Sequence, residues 1–271
     1  GLGYQALKTN TTGAHNTVIG HKAMEAADGD EDNNIAIGFE AMNNVNEDGS
    51  NNNICIGYQA ATGGTNTMTS CVVIGANAMN STGNSNTQTG TIAIGHDALT
   101  ALTSGPNNIA IGYNTLTGHT TGGNNTVLGY NAMSGTGTGS TSQGASHNTV
   151  IGSAACSTAW ADADASDMVV IGSQAMSSGT LTTTVDGTIA IGRECLQNLA
   201  SGAKNTAIGY QAMQSATSSV NNISIGYQSL DAMVGDDANN AGNYNVAIGV
   251  DSMGAVNAGT HSSARADYNV A

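Results

Sequence analysis

The chain has 271 residues and a formal charge of −14, with five Lys and Arg against nineteen Asp and Glu. That balance offers no basic surface for a phosphate backbone and argues against nucleic-acid binding, and no run approaches the roughly 18 apolar residues of a membrane-spanning helix. Leu, Ile, Val and Phe together make 44 residues, below the roughly 20% that marks ordinary globules, so a core exists only if they recur in fixed places.

They do recur. Fourteen glycines, each preceded by Ile or Leu, run from Gly3 to Gly249 at spacings of 17 to 23 residues. The copy NNIAIGFEAM (33–42) shows the slots. Ile37, just before the anchor Gly38, reads as an interior knob, and Ile35 shares its face because strand side chains alternate. Ala36 points the other way, and a small residue there suggests close approach of another layer or chain. Asn34 suits a left-handed backbone and an Asn ladder between stacked coils. The glycine permits the turn out of the strand. On this reading Ile37, Ile94, Ile111, Ile191, Ile208 and Ile225 are buried and stacked in register, while Ala36, Ala93, Ala110, Ala190 and Ala207 form a strip that faces a neighbouring chain.

The period changes after each anchor. Leu or Met lies four residues on (Met24, Met42, Met79, Leu99), and an apolar residue often follows three later, as at Val45, Leu102, Leu199, Met233 and Val256. An i, i+3 pair fits one helical turn, and GHDALTALTSG (95–105) and GRECLQNLASG (192–202) end in Gly as short helices do. The expected fold is mainly β: a parallel β-solenoid of about 14 coils of 17–24 residues. Each coil has one strand, a Gly turn and a short helical segment, with a second short strand as the alternative.

Candidate sites follow in chain order. The acidic insertions DGDED (28–32), NEDGS (46–50) and GDDANN (235–240) lie where coil length varies, so Asp28–Asp32 and Asp236–Asp237 should be in outward loops. Oxygen-rich loops can hold Ca²⁺, with Asp28, Asp30 and Asp32 as weak ligands and a solvated loop as the alternative; no other cofactor is indicated. Cys55, Cys71, Cys156 and Cys195 occupy repeat slots as small apolar fillers, and Cys55 and Cys71 are two residues out of register, too far apart to bridge. The slot after the anchor is often aromatic, including Tyr4, Phe39, Tyr58, Tyr113, Tyr130, Tyr210 and Tyr227. Stacked, these rings either pack at the coil edge or offer a platform for a sugar. Trp160, in an insertion loop, either binds a ligand or packs its own loop. His21 and His96 fill the aromatic slot, and no histidine pair has metal-ligand spacing.

The phrase N-[ST]-[VIA]-A-I-G resembles the head repeat of trimeric autotransporter adhesins. NTAIGYQAM (205–213) and NNIAIGYNTL (107–116) are similar to N-T-A-I-G-Y-Q-A-L repeats of bacteriophage tail-fibre proteins, and the resemblance covers essentially the whole chain. It implies a homotrimeric, non-enzymatic solenoid on a virion surface, attached to a host glycan or receptor, or alternatively on a bacterial cell surface as an adhesin. The coil is longer than that of the adhesin head. Residues 1–271 are expected to form one repeat domain cut from a longer fibre, since both ends fall inside a repeat. The main rival is an ice-binding solenoid, for which Thr17, Thr126, Thr149 and Thr206 share a slot but alternate with Ile and Val. A glycan-cleaving enzyme would need two carboxylates facing one groove.

Overall fold

A computed structural model describes residues 1–45, 49–63, 67–80, 88–135, 144–160, 165–181, 185–232 and 242–254. Met233, Val256, Asp236 and Asp237 lie outside the described residues. The chain divides into two compact units, Gly1–Tyr130 and Asn131–Ala271. Each is a parallel β-solenoid.

In the first unit β1 (Thr17–Ile19), β2 (Ile35–Ile37), β3 (Ile54–Ile56), β5 (Val72–Ile74), β7 (Ile92–Ile94), β8 (Ile109–Ile111) and β9 (Thr126–Leu128) stack in parallel, one per coil. Leu2 adds a single bridge to Ile19. The second unit stacks β10 (Thr149–Ile151), β12 (Val169–Ile171), β14 (Ile189–Ile191), β15 (Thr206–Ile208), β16 (Ile223–Ile225) and β17 (Val246–Ile248) in the same way. Equivalent slots pair one to one: Ile35 with Ile54, Ala36 with Cys55, Ile37 with Ile56. Longer coils add two small parallel ladders, β4 (Met68–Thr69) with β6 (Gln88–Thr89) and β11 (Ala159–Trp160) with β13 (Thr180–Leu181).

The strands face the opposite way to the sequence expectation. The middle residue of each triplet is the buried one, and Ala36, Cys55, Val73, Ala93, Ala110, Ala190 and Ala207 have no solvent exposure. Ile37, Ile94, Ile111, Ile191 and Ile208 are in register but only half-buried, and Ile225 is exposed. The reason is thickness. Opposite the strand lies a second column of small buried residues three after each anchor (Ala41, Ala60, Ala78, Ala98, Ala212) and, beside it, the Met and Leu column. Two backbone layers that close together admit Ala, Cys, Ser or Val, and the larger Ile side chains point outward. The Ala strip is therefore the interior of one coil, and the Ile columns are the outward apolar face.

The segment after each anchor is not helical; among the described residues the chain forms no α-helix. Residues two and four after the anchor are left-handed instead, as at Gln59 (φ 51°) and Ala61 (φ 56°), or Glu40 (φ 54°) and Met42 (φ 56°). Each such residue costs roughly 1–2 kcal/mol. The offset is that its N–H points along the stack: Gln59 N donates back to Phe39 O at 2.8 Å, and Met42 N donates forward to Ala60 O at 2.9 Å. The i, i+3 pairs that suggested helix are tight turns, with Leu102 N donating to Leu99 O at 3.2 Å and Leu199 N to Leu196 O at 3.1 Å. All four leucines are thereby folded inward.

The Asn column is a buried ladder. Asn53 donates through both its backbone N (2.9 Å) and Nδ2 (3.0 Å) to Asn34 Oδ1, and Asn53 Nδ2 also donates to Met68 O at 2.8 Å. The same pattern links Asn108 to Asn125 and Asn205 to Asn222. The left-handed residue is the one before it, as at Asn33 (φ 58°), Asn52 (φ 62°) and His147 (φ 61°). The four cysteines are buried free thiols. Burial raises Cys55 and Cys71, and pushes Cys156 and Cys195 up to about 12, so none is a thiolate at neutral pH.

The anchor glycines have two reasons to be glycine. Gly75 has φ 142°, a region L residues avoid, and a Cβ there would collide with the Gly95 carbonyl of the next coil. Gly75→Ala is expected to destabilise the first unit by about 3 kcal/mol or more, read by urea denaturation. A variant as stable as the parent would refute this rung packing.

Candidate functional site

The residue after each anchor leaves the turn pointing outward, and the parallel register places these side chains one above another. In the first unit Tyr4, His21, Phe39 and Tyr58 stack with ring centroids 5.3, 5.0 and 5.3 Å apart. His96, Tyr113 and Tyr130 form a second stack at 5.3 and 5.5 Å. In the second unit Tyr210 and Tyr227 stack at 5.6 Å, and the Arg193 guanidinium lies 5.9 Å from the Tyr210 centroid. Glu194 Oε1 holds that guanidinium at 2.8 Å.

The rings are not edge packing within one chain. Tyr58 is 52% exposed and Tyr130 56%. Nor are they an open platform along their length. The rings lie within 22° of parallel, so neighbours cover each other's faces, and edges and phenol hydroxyls meet solvent. A ligand that stacks on a ring face finds one only where a stack stops. Beside the rings runs an amide column in which Gln59 Nε2 donates to Glu40 Oε2 at 2.8 Å, and Gln211 Nε2 to Glu194 Oε2 at 2.7 Å.

The other nominated residues are placed elsewhere. Trp160 is fully buried, in register with Leu181 of β13, and presents no ring face to a ligand. Asp28 and Asp30 are exposed and Asp32 half-buried. Asp30 Oδ1 accepts from Gly49 N at 2.7 Å, and Asp32 Oδ1 accepts from Ala14 N at 2.5 Å. They cap the coils on either side, and among the described residues no three acidic, His or Cys side chains form a group that could hold a metal ion.

Two buried titratable groups escaped the sequence reading. Glu31, between the nominated aspartates, turns inward; burial raises its carboxyl above the ordinary range. His119 is buried, with Nε2 2.9 Å from Gly122 O and no partner for Nδ1 among the described residues. Arg193 is visible in sequence only once the slot after the anchor is followed rung by rung.

No protein-family model, no curated protein and no solved structure matches this chain. Among the described residues no helix is long and apolar enough to cross a membrane.

Burial lowers the His119 pKa below its ordinary value. The unfolded chain therefore binds the proton first, and stability falls as pH drops below about 6.5 toward the folded value. The melting temperature of the parent is expected to fall more steeply between pH 7.5 and 5 than that of His119→Gln; parallel curves would refute this.

Proposed function

We propose that this chain is a non-enzymatic structural segment of a homotrimeric surface fibre, the attachment appendage of a phage or other virus, with a bacterial cell-surface adhesin as the second setting. The observation that carries the reading is the outward face of the strands. In each unit it presents two parallel columns of Ile, Val, Leu and Thr, in register on every rung. Ile19, Ile151, Ile223, Ile225 and Ile248 are more than a third exposed. A continuous apolar strip of this kind marks an interface. Identical chains arranged around an axis parallel to the stack would cover it in every copy at once, and three is the number implied by the resemblance of NTAIGYQAM and its copies to fibre and adhesin-head repeats. The resulting object supplies length and stiffness and places loops and aromatic columns at the periphery.

The same face supports a second reading. Its regularly spaced Thr, Ile and Val columns would suit an ice surface, and that role asks for no second chain. Thermal hysteresis from a single-chain protein would favour it over the fibre.

Light scattering separates the two. The expected mass is three times that of the 26.9 kDa chain; one chain's mass sinks the fibre reading. Ile111→Glu, on the outward face, is expected to leave the far-ultraviolet circular dichroism intact and yield single chains. Ala110→Glu places a charge inside the coil, where it has no partner, and is expected to unfold the surrounding rungs rather than split an assembly. If Ala110→Glu folds and dissociates while Ile111→Glu stays assembled, the interface has been placed on the wrong side of the strand.

A further inference from the structure

The aromatic column of the first unit has a gap one ring wide. Tyr58 ends one stack and His96 begins the next, and the rung between them carries Ala76 in the same slot. The slot identity is secured by the backbone: Asn77 N donates to Tyr58 O at 2.9 Å, and Asp97 N to Ala76 O at 3.0 Å. Two rung spacings separate the Tyr58 and His96 rings, roughly 10 Å. A six-membered ring centred over Ala76 would sit one rung from each wall, at the spacing the column's own rings keep.

We propose that the Tyr58–Ala76–His96 gap is a binding slot for one uncharged pyranose ring of a glycan. The walls are ring faces released by the missing side chain, and the floor is the Ala76 methyl. The open side meets water, since Tyr58 is 52% exposed and the His96 side chain 46%. A guest must therefore have apolar faces and a polar rim, which is the construction of a pyranose chair and not of a hydrocarbon ring. The rim has partners. Asp97 Oδ2 holds His96 Nδ1 at 2.9 Å, which leaves Nε2 as the ring nitrogen for a guest. Among the described residues no side-chain hydrogen bond uses the Asn77 amide, which stands in the adjoining column. The chain's −14 charge disfavours an acidic sugar. The slot rests on the attachment reading for its purpose, but it is complete within one chain, so binding and assembly can fail separately.

The test uses the 271-residue chain and methyl pyranosides of glucose, galactose, mannose and N-acetylglucosamine at millimolar concentration, followed by saturation-transfer difference NMR. At least one is expected to receive saturation at its ring C–H protons. Ala76→Tyr is expected to complete the stack, cut that transfer to the residual level given by the single ring faces at the stack ends such as Tyr4 and Tyr130, and leave the melting temperature unchanged or higher. Tyr58→Ala is expected to weaken binding at least tenfold, and it carries the test if Ala76→Tyr does not fold. The proposal is overturned if no pyranoside binds the parent, if both variants bind as the parent does, or if N-acetyl-tyrosinamide occupies the slot and excludes the sugars.

Discussion

Everything in this protein answers to the spacing between successive coils, roughly 4.8 Å. At that distance the anchor positions leave no room for a side chain, because a Cβ on one would run into the carbonyl of the next. The same distance lets a left-handed residue repay its conformational cost, since its N–H finds a carbonyl one rung away. It also sets the aromatic rings at stacking distance and the Asn amides at hydrogen-bonding distance. A chain that must meet this spacing on every turn has little freedom in the residues that define a rung.

The interior is thin, and its polarity is handled rung by rung. In the buried column three residues after the anchor, positions that are not Ala carry a group that can donate to backbone: Thr115 Oγ1 donates to Gly129 O at 2.7 Å, Ser229 Oγ to Ala247 O at 3.2 Å and Cys195 Sγ to Ala207 O at 3.2 Å. Thr, Ser and Cys at these positions are therefore conservative in volume and self-satisfying in hydrogen bonding. The insertion loops obey a looser rule. Where two neighbouring coils are both long, their extra residues pair with each other and bury Met68, Trp160 and Leu181.

The repeat, its parallel stacking and the site of its insertions were legible because they depend only on counting. The Asn ladder was legible because a buried amide repeated at every turn has few other uses. The sidedness of the strand was not. Alternation says that Ile35 and Ile37 share a face opposite Ala36, and it is silent on which face is inside; the habit of putting the larger residue inside gave the wrong answer for a coil whose two layers leave room only for Ala. The helical reading failed at Leu99 and Leu102 because a tight turn and a helical turn share the i, i+3 spacing. Glu31 was hidden in an acidic run whose Asp28 and Asp30 do face solvent, and the gap at Ala76 has no meaning until the rings on either side are seen to stack.

The alternating direction of the left-handed N–H groups has a mechanical consequence. Within each rung some donors point to the coil before and others to the coil after, so every rung grips both of its neighbours. These bonds lie along the stacking direction, and a pull in that direction loads them in parallel within a rung and in series from rung to rung. The material is then as strong as its most weakly bonded step, and adding coils lengthens it without weakening it. Shear across the stack meets the interlocked side chains instead. A stack of coils bonded this way resists tension through hydrogen bonds that are already formed at rest.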